Sequence, residues 1–128
     1  MKKFHPDNTL PQNNEVFVFG SNLAGRHGAG AAKVAKEKFG AVFNCGDGFQ
    51  GNSYAIPTKD IDIVTLPLHI IKSYVDDFLK FAKDHPEMNF FITRIGCGLA
   101  GYKDEDIAPL FINTPFNCDL PITWKDYI

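Results

Sequence analysis

An α/β layer fold with a mixed or mostly parallel sheet is predicted by three features of this 128-residue chain. Short β-branched and aromatic runs alternate with longer helix-patterned segments. No internal repeat or low-complexity tract competes with that order. Two glycine-rich loops each leave an apolar run and lead toward a helix. Ligands in such folds gather beyond the carboxyl ends of the strands, at a switch in strand order.

The elements follow in order along the chain. Residues 1–14 are polar, with Pro6, Pro11 and three asparagines, and read as a loose lead-in, so order is expected from Glu15 and a single domain spans 15–128. Residues 15–19 have the composition of a strand. From Gly28 the chain turns alanine- and lysine-rich through Phe39; Ala32, Ala35 and Phe39 share a helical face and Gly40 stands as terminator. Residues 41–44 read as a short strand. Gly46, Gly48 and Gly51 make regular structure costly and mark 46–51 as a flexible third loop. Residues 54–57 and 63–66 are further short apolar runs. Pro67 suits the first position of a helix ending near His85 and Pro86, with Ile71, Val75, Phe78, Leu79 and Ala82 as its buried stripe. The run 90–95 is apolar throughout, as in a strand covered on both faces. Residues 104–111 form a short helix with acids in its first turn, and 120–124 a last strand.

At 45% hydrophobic and 22% charged residues, the chain supports one core. A net charge of -2 without a run of Lys or Arg excludes extended tracking along nucleic acid. No apolar stretch approaches the ~20 residues of a membrane span, and the Met-Lys-Lys start runs into Phe4, His5 and Pro6 rather than a signal-peptide centre. A cytoplasmic protein with no membrane association is expected. Cys45, Cys97 and Cys118 are odd in number, widely spaced and without Cys-x-x-Cys, which fits three reduced thiols and neither a disulfide framework nor a metal site; no cofactor is expected.

The loops carry the chemistry. Gly25-Arg26-His27-Gly28-Ala29-Gly30-Ala31-Ala32 follows the run 16–19, and Gly96-Cys97-Gly98-Leu99-Ala100-Gly101-Tyr102 follows the run 90–95. Both offer unencumbered backbone N–H groups to an anion, and two such loops can hold a diphosphate from both sides. Neither ends in the Lys-Ser or Lys-Thr of a phosphate-binding NTPase loop, and neither has the dinucleotide-binding spacing with its downstream acid.

Phe19-Gly20-Ser21-Asn22, the loop from Arg26 to Ala32, a lysine-rich helix ending in Phe39-Gly40, and Arg94-Ile95-Gly96-Cys97-Gly98-Leu99 together resemble the macrodomain family of ADP-ribose-binding modules, in particular its lysine-dependent ADP-ribose glycohydrolase branch. The likeness runs from about Glu15 through the helix after Tyr102. It implies a three-layer fold with helices on both faces of the sheet. It also implies that Gly96, Cys97, Gly98, Leu99 and Ala100, with Gly101 and Tyr102 beyond them, wrap the diphosphate and distal ribose. Gly28, Ala29 and Gly30 would approach from the other side, with Asn22 beside the ribose. Lys59 matches the lysine that attacks the anomeric carbon of that ribose, a role requiring a partly neutral amine. The chain departs from the branch at Ala100, where the assisting carboxylate is expected, and Ala29 does not supply the aspartate of another macrodomain group. Asp47, Asp60 and Asp104 are the neighbouring-loop acids left to stand in for it.

Three other side chains bear on reactivity. His27, inside a glycine loop, is a candidate acid or base, a phosphate contact or a hydrogen-bonded loop side chain. Cys97 is a candidate nucleophile if the loop amides lower its pKa. Tyr102 is the best placed ring for stacking, ahead of Phe49, Tyr54 and Trp124. The functions that follow are binding of ADP-ribose or a related nucleotide, with hydrolysis at the distal ribose through Lys59 and release of ADP-ribose from a modified macromolecule. The alternatives are a non-catalytic sensor, favoured by Ala100, and a phosphatase on phosphorylated ADP-ribose using His27.

Overall fold

The computed structural model describes residues 2–12 and 14–128. Its strands are β1 (Lys3–His5), β2 (Val16–Asn22), β3 (Gly48–Gln50), β4 (Ser53–Lys59), β5 (Phe90–Ile92) and β6 (Cys118–Pro121), and its α-helices are α1 (Gly30–Lys38), α2 (Leu68–Asp84) and α3 (Asp104–Ile107). Alternation along the strands lets single apolar runs feed two cores. Val16 and Val18 of β2, Tyr54 and Ile56 of β4, and Phe90 and Ile92 of β5 face one cluster, completed by Ile71, Val75, Phe78 and Ala82 of α2. Phe17, Phe19, Ala55 and Phe91 face the other, where Ala32 and Ala35 bring α1 close to the sheet. Helices therefore cover both faces, making three layers.

The six strands run in the order β1-β6-β5-β2-β4-β3. Every pairing is parallel except β3 against β4. The chain after α3 continues as a 3-10 turn, Ala108–Phe111, on the α2 face, and a second, Ile122–Tyr127, buries Trp124. The indole N–H of Trp124 donates to Asp104 at 2.8 Å, so full burial leaves no unpaired donor. No helix among the described residues is long and apolar enough to cross a membrane.

Several elements differ from the sequence expectation. The lead-in contains β1, which pairs with β6 from Lys3 opposite Asp119 to His5 opposite Pro121. The expected strand at 41–44 is a turn, closed by the Cys45 N–H on the Val42 carbonyl. The expected loop at 46–51 holds β3, because the hairpin partner Ser53–Lys59 is long enough to extend the sheet over the glycines. Residues 63–66 form no strand; only Thr65 bridges, to Lys59. The last strand begins at Cys118 and gives way to the 3-10 turn at Ile122, and the strand expected over 90–95 ends at Ile92.

Candidate functional site

From β2 the chain crosses the sheet through α1 on one face, and from β5 it leaves through α3 on the other. The carboxyl ends of these neighbouring strands therefore part, and a cleft of about 630 Å³ opens there. That volume suits a small-molecule site. The strand ends are fastened by hydroxyls: Thr93 donates to the Val18 carbonyl at 2.8 Å and Thr58 to the Ser21 carbonyl at 3.1 Å.

The first glycine loop forms one wall. Asn22 brackets it, its amide nitrogen donating to the Arg26 carbonyl at 2.9 Å and its amide oxygen accepting the Arg26 N–H at 3.0 Å. Gly25, at φ 70, and Gly46 lie main chain to main chain against the neighbouring loop; a Cβ on Gly25 would collide with Asn44 and Cys45, and one on Gly46 with the Asn22 carbonyl. Ser21 donates its hydroxyl to the Gly46 carbonyl in the same seam. At the end of the wall α1 starts with no side-chain cap, since Ala29 is its N-cap. The N–H groups of Gly30, Ala31 and Ala32, all lining the cleft, thus have no intrahelical acceptor.

The second glycine loop forms the opposite wall. Gly96, at φ 76, turns the chain away from the sheet, and the Tyr102 N–H closes the loop on its carbonyl at 2.9 Å. Leu99 is 72% exposed and reaches across toward the first loop, so that a Cβ on Gly30 would lie 3.9 Å from it. The two loops therefore face each other. Gly28 and Gly98, one in each wall, have ordinary φ values, and a Cβ on either would meet no protein atom within 4 Å. Neither turn geometry nor packing requires glycine at these two positions.

The electrostatics favour an anion. Arg26, Lys59 and Arg94 line the cleft, and no carboxylate does among the described residues. The acids considered for a catalytic role are not among the residues that line the cleft. Asp104 is held by Arg94 at 3.0 and 2.7 Å and by Trp124; its burial, which would raise the carboxyl, is outweighed by these bonds, which hold it below the usual range. Asp60 accepts the N–H groups of Asp62 and Val64 in a surface turn. Asp47 precedes β3, and burial followed by the charge of Asp77 raises its carboxyl.

The cleft brings together Asn22, Gly28, Ala29, Gly30 and Lys59 with Gly96, Cys97, Gly98, Leu99 and Ala100. Three expected residues lie elsewhere. His27 is buried beneath the first loop with its Nε2 hydrogen on the Val42 and Cys45 carbonyls at 2.9 and 3.1 Å, edge-on to Phe19; there it shares the Val42 carbonyl with the Cys45 N–H and gives the Cys45 carbonyl a donor. It is not among the residues that line the cleft. Gly101 lies outside as well, and Tyr102 turns its ring to the core and donates to the Leu66 carbonyl at 2.7 Å. Cys97 lines the cleft, but burial, then the charge of Asp104, pushes its thiol up to about 12, against a nucleophilic role. Arg26 and Arg94, quoted in the motifs without a role, and Ile63 join the lining. The position of each arginine beside a glycine loop was the available signal; nothing local marked Ile63.

Among solved structures, the chain is similar to Thermosipho africanus DarTG in complex with ADP-ribose, with a TM-score of 0.58 and 18% identity over 86% of this chain. The chain spans 39% of the length of that one. No protein-family model matches the chain, and no curated protein does. The likeness and the sheet order together show a macrodomain-like α/β fold: a mixed, mostly parallel six-stranded sheet between helical layers.

Proposed function

We propose that the protein binds ADP-ribose, or a closely related ADP-ribose-containing nucleotide, in the cleft between its two glycine loops. The observation that carries this is the facing pair of backbone walls, each with a glycine, Gly28 or Gly98, that neither φ nor packing requires and that leaves room for close approach of a ligand. In this binding mode the diphosphate lies between the uncapped N–H groups of Gly30, Ala31 and Ala32 and the main chain of Cys97, Gly98 and Leu99. Arg26 and Lys59 add long-range attraction for the phosphates. Asn22 acts as a positioning residue, since its amide is committed to holding the loop at Arg26. The bound ligand of the structurally similar DarTG is consistent with this class of molecule.

A second reading, hydrolysis at the distal ribose, is favoured by the position of Lys59 in the cleft. There a neutral Lys59 amine would form a bond to the anomeric carbon as the bond to the departing group breaks, and water would later release the sugar. The departing group needs a proton, and among the described residues no carboxyl group lines the cleft to give one, so binding without efficient turnover is the expected behaviour.

Calorimetry with ADP-ribose and AMP, run beside incubation with ADP-ribosylated protein, tests both. ADP-ribose should bind at least about tenfold more tightly than AMP, a difference of ~1.4 kcal/mol. Equal affinities would overturn the placement of the diphosphate and second ribose. Release of the modification by the native protein and its loss in Lys59→Ala would replace the binding module with the hydrolase.

A further inference from the structure

After β4 the chain makes a hairpin excursion over residues 59–66. The Asp60 N–H donates to the Val64 carbonyl at 2.8 Å and Thr65 bridges to Lys59. The Asp60 carboxylate accepts the N–H groups of Asp62 and Val64 at 2.8 and 3.0 Å. At the tip Ile63 is held at φ 64. Three other non-glycine residues among those described have positive φ, and all are asparagines: Asn8, Asn14 and Asn44. Asparagine tolerates that region, whereas a β-branched side chain is crowded against its own backbone there. A turn alone would be better served by glycine or asparagine.

Ile63 also lines the cleft, on the same hairpin as Lys59, and remains 38% exposed. The hairpin is fastened to both walls: the Leu23 N–H donates to the Lys59 carbonyl at 2.9 Å, and the Thr65 hydroxyl to the Ala100 carbonyl at 3.0 Å. A strained apolar residue is thus fixed by its neighbours at the rim of a cleft that also holds Arg26, Lys59 and Arg94. Strain of this kind persists only where surrounding bonds over-determine it, and it collects at ligand clamps.

We propose that Ile63 is a specificity-determining residue whose side chain packs on the sugar ring at the Lys59 end of the ligand. Resting on the function proposed above, that ring is the distal ribose of ADP-ribose. The Asp60 turn acts as the clamp that keeps Ile63 in its unfavourable backbone conformation. ADP, which lacks the distal ribose, is indifferent to the side chain.

Ile63→Ala removes the side chain beyond Cβ and retains the cost of a Cβ at positive φ; Ile63→Gly removes both. Calorimetry with ADP-ribose and ADP, beside thermal unfolding, should show both variants binding ADP-ribose about tenfold more weakly and ADP unchanged. Ile63→Gly should melt about 4 °C above the native protein and Ile63→Ala should not. Unchanged ADP-ribose affinity in both variants overturns the inference while leaving the functional proposal intact. An equal loss for ADP overturns the assignment to the distal ribose, and a lower melting temperature for Ile63→Gly overturns the strain. A native protein that binds no ADP-ribose overturns the functional proposal and this inference with it.

Discussion

Gly28→Ala and Gly98→Ala should leave the fold untouched and still damage binding. Both positions have ordinary φ, and the added methyl meets no protein atom within 4 Å. Replacing glycine with alanine at such a position restricts the unfolded chain and stabilises by about 0.4–1 kcal/mol. The same methyl stands where a diphosphate would approach the main chain, and displacing one hydrogen bond to a charged oxygen costs about 1.5–3 kcal/mol. That converts to a roughly 10- to 100-fold weaker affinity for ADP-ribose. Gly96→Ala is the contrasting substitution: its φ of 76 and a Cβ only 3.0 Å from Ile107 make it destabilising, by ~1–2 kcal/mol for the left-handed backbone alone. Thermal unfolding separates the two kinds of glycine, and calorimetry with ADP-ribose measures the binding loss. Native affinity in both Gly28→Ala and Gly98→Ala would refute close approach of a ligand to these walls.

Two further outcomes follow from the geometry. Gly46→Ala drives a methyl into the Asn22 carbonyl and should cost about 2–4 kcal/mol in chemical denaturation; a loss below ~0.5 kcal/mol would show the main-chain seam to be looser than described. For Cys97, burial first and then the Asp104 charge raise the folded thiol to about 12 from an ordinary value of 9.0. The neutral thiol is therefore the form that folding favours, a contribution intact below the unfolded value and lost as pH rises through the folded one. Iodoacetamide at pH 8 should label Cys97 in the native protein at least about tenfold more slowly than in the urea-unfolded chain, as read by mass spectrometry; equal rates would contradict the raised thiol.

Periodicity in the chain foretells most of the framework. The β-branched and aromatic content of Val16, Phe17, Val18 and Phe19 anticipates a strand, and the Ile71, Val75, Phe78 stripe anticipates α2. β1 escapes such reading because three residues carry too little pattern and their partners, Asp119 to Pro121, lie at the other end of the chain. β3 escapes because two of the glycines that disfavour a strand locally, Gly48 and Gly51, border a hairpin stabilised by its longer partner. At the site, glycine spacing identifies both walls, but side-chain direction is a tertiary property. His27 turns inward because the Val42 and Cys45 carbonyls wait beneath it, and Tyr102 because Leu66 does. Ile63 is marked only by a dihedral angle that no residue type announces.

The two walls differ in how they are anchored. The first is welded to its neighbour along Gly25 and Gly46, pinned by Asn22 and underpinned by His27. The second is tied by Gly96 to Tyr102, by Gly98 to Gly101, by Ala100 to Thr65 and by Tyr102 to Leu66, with the Leu99 side chain 72% exposed. A proposed guest would therefore meet a wall braced main chain to main chain on one side and, on the other, a wall whose Leu99 side chain stands exposed over the cleft.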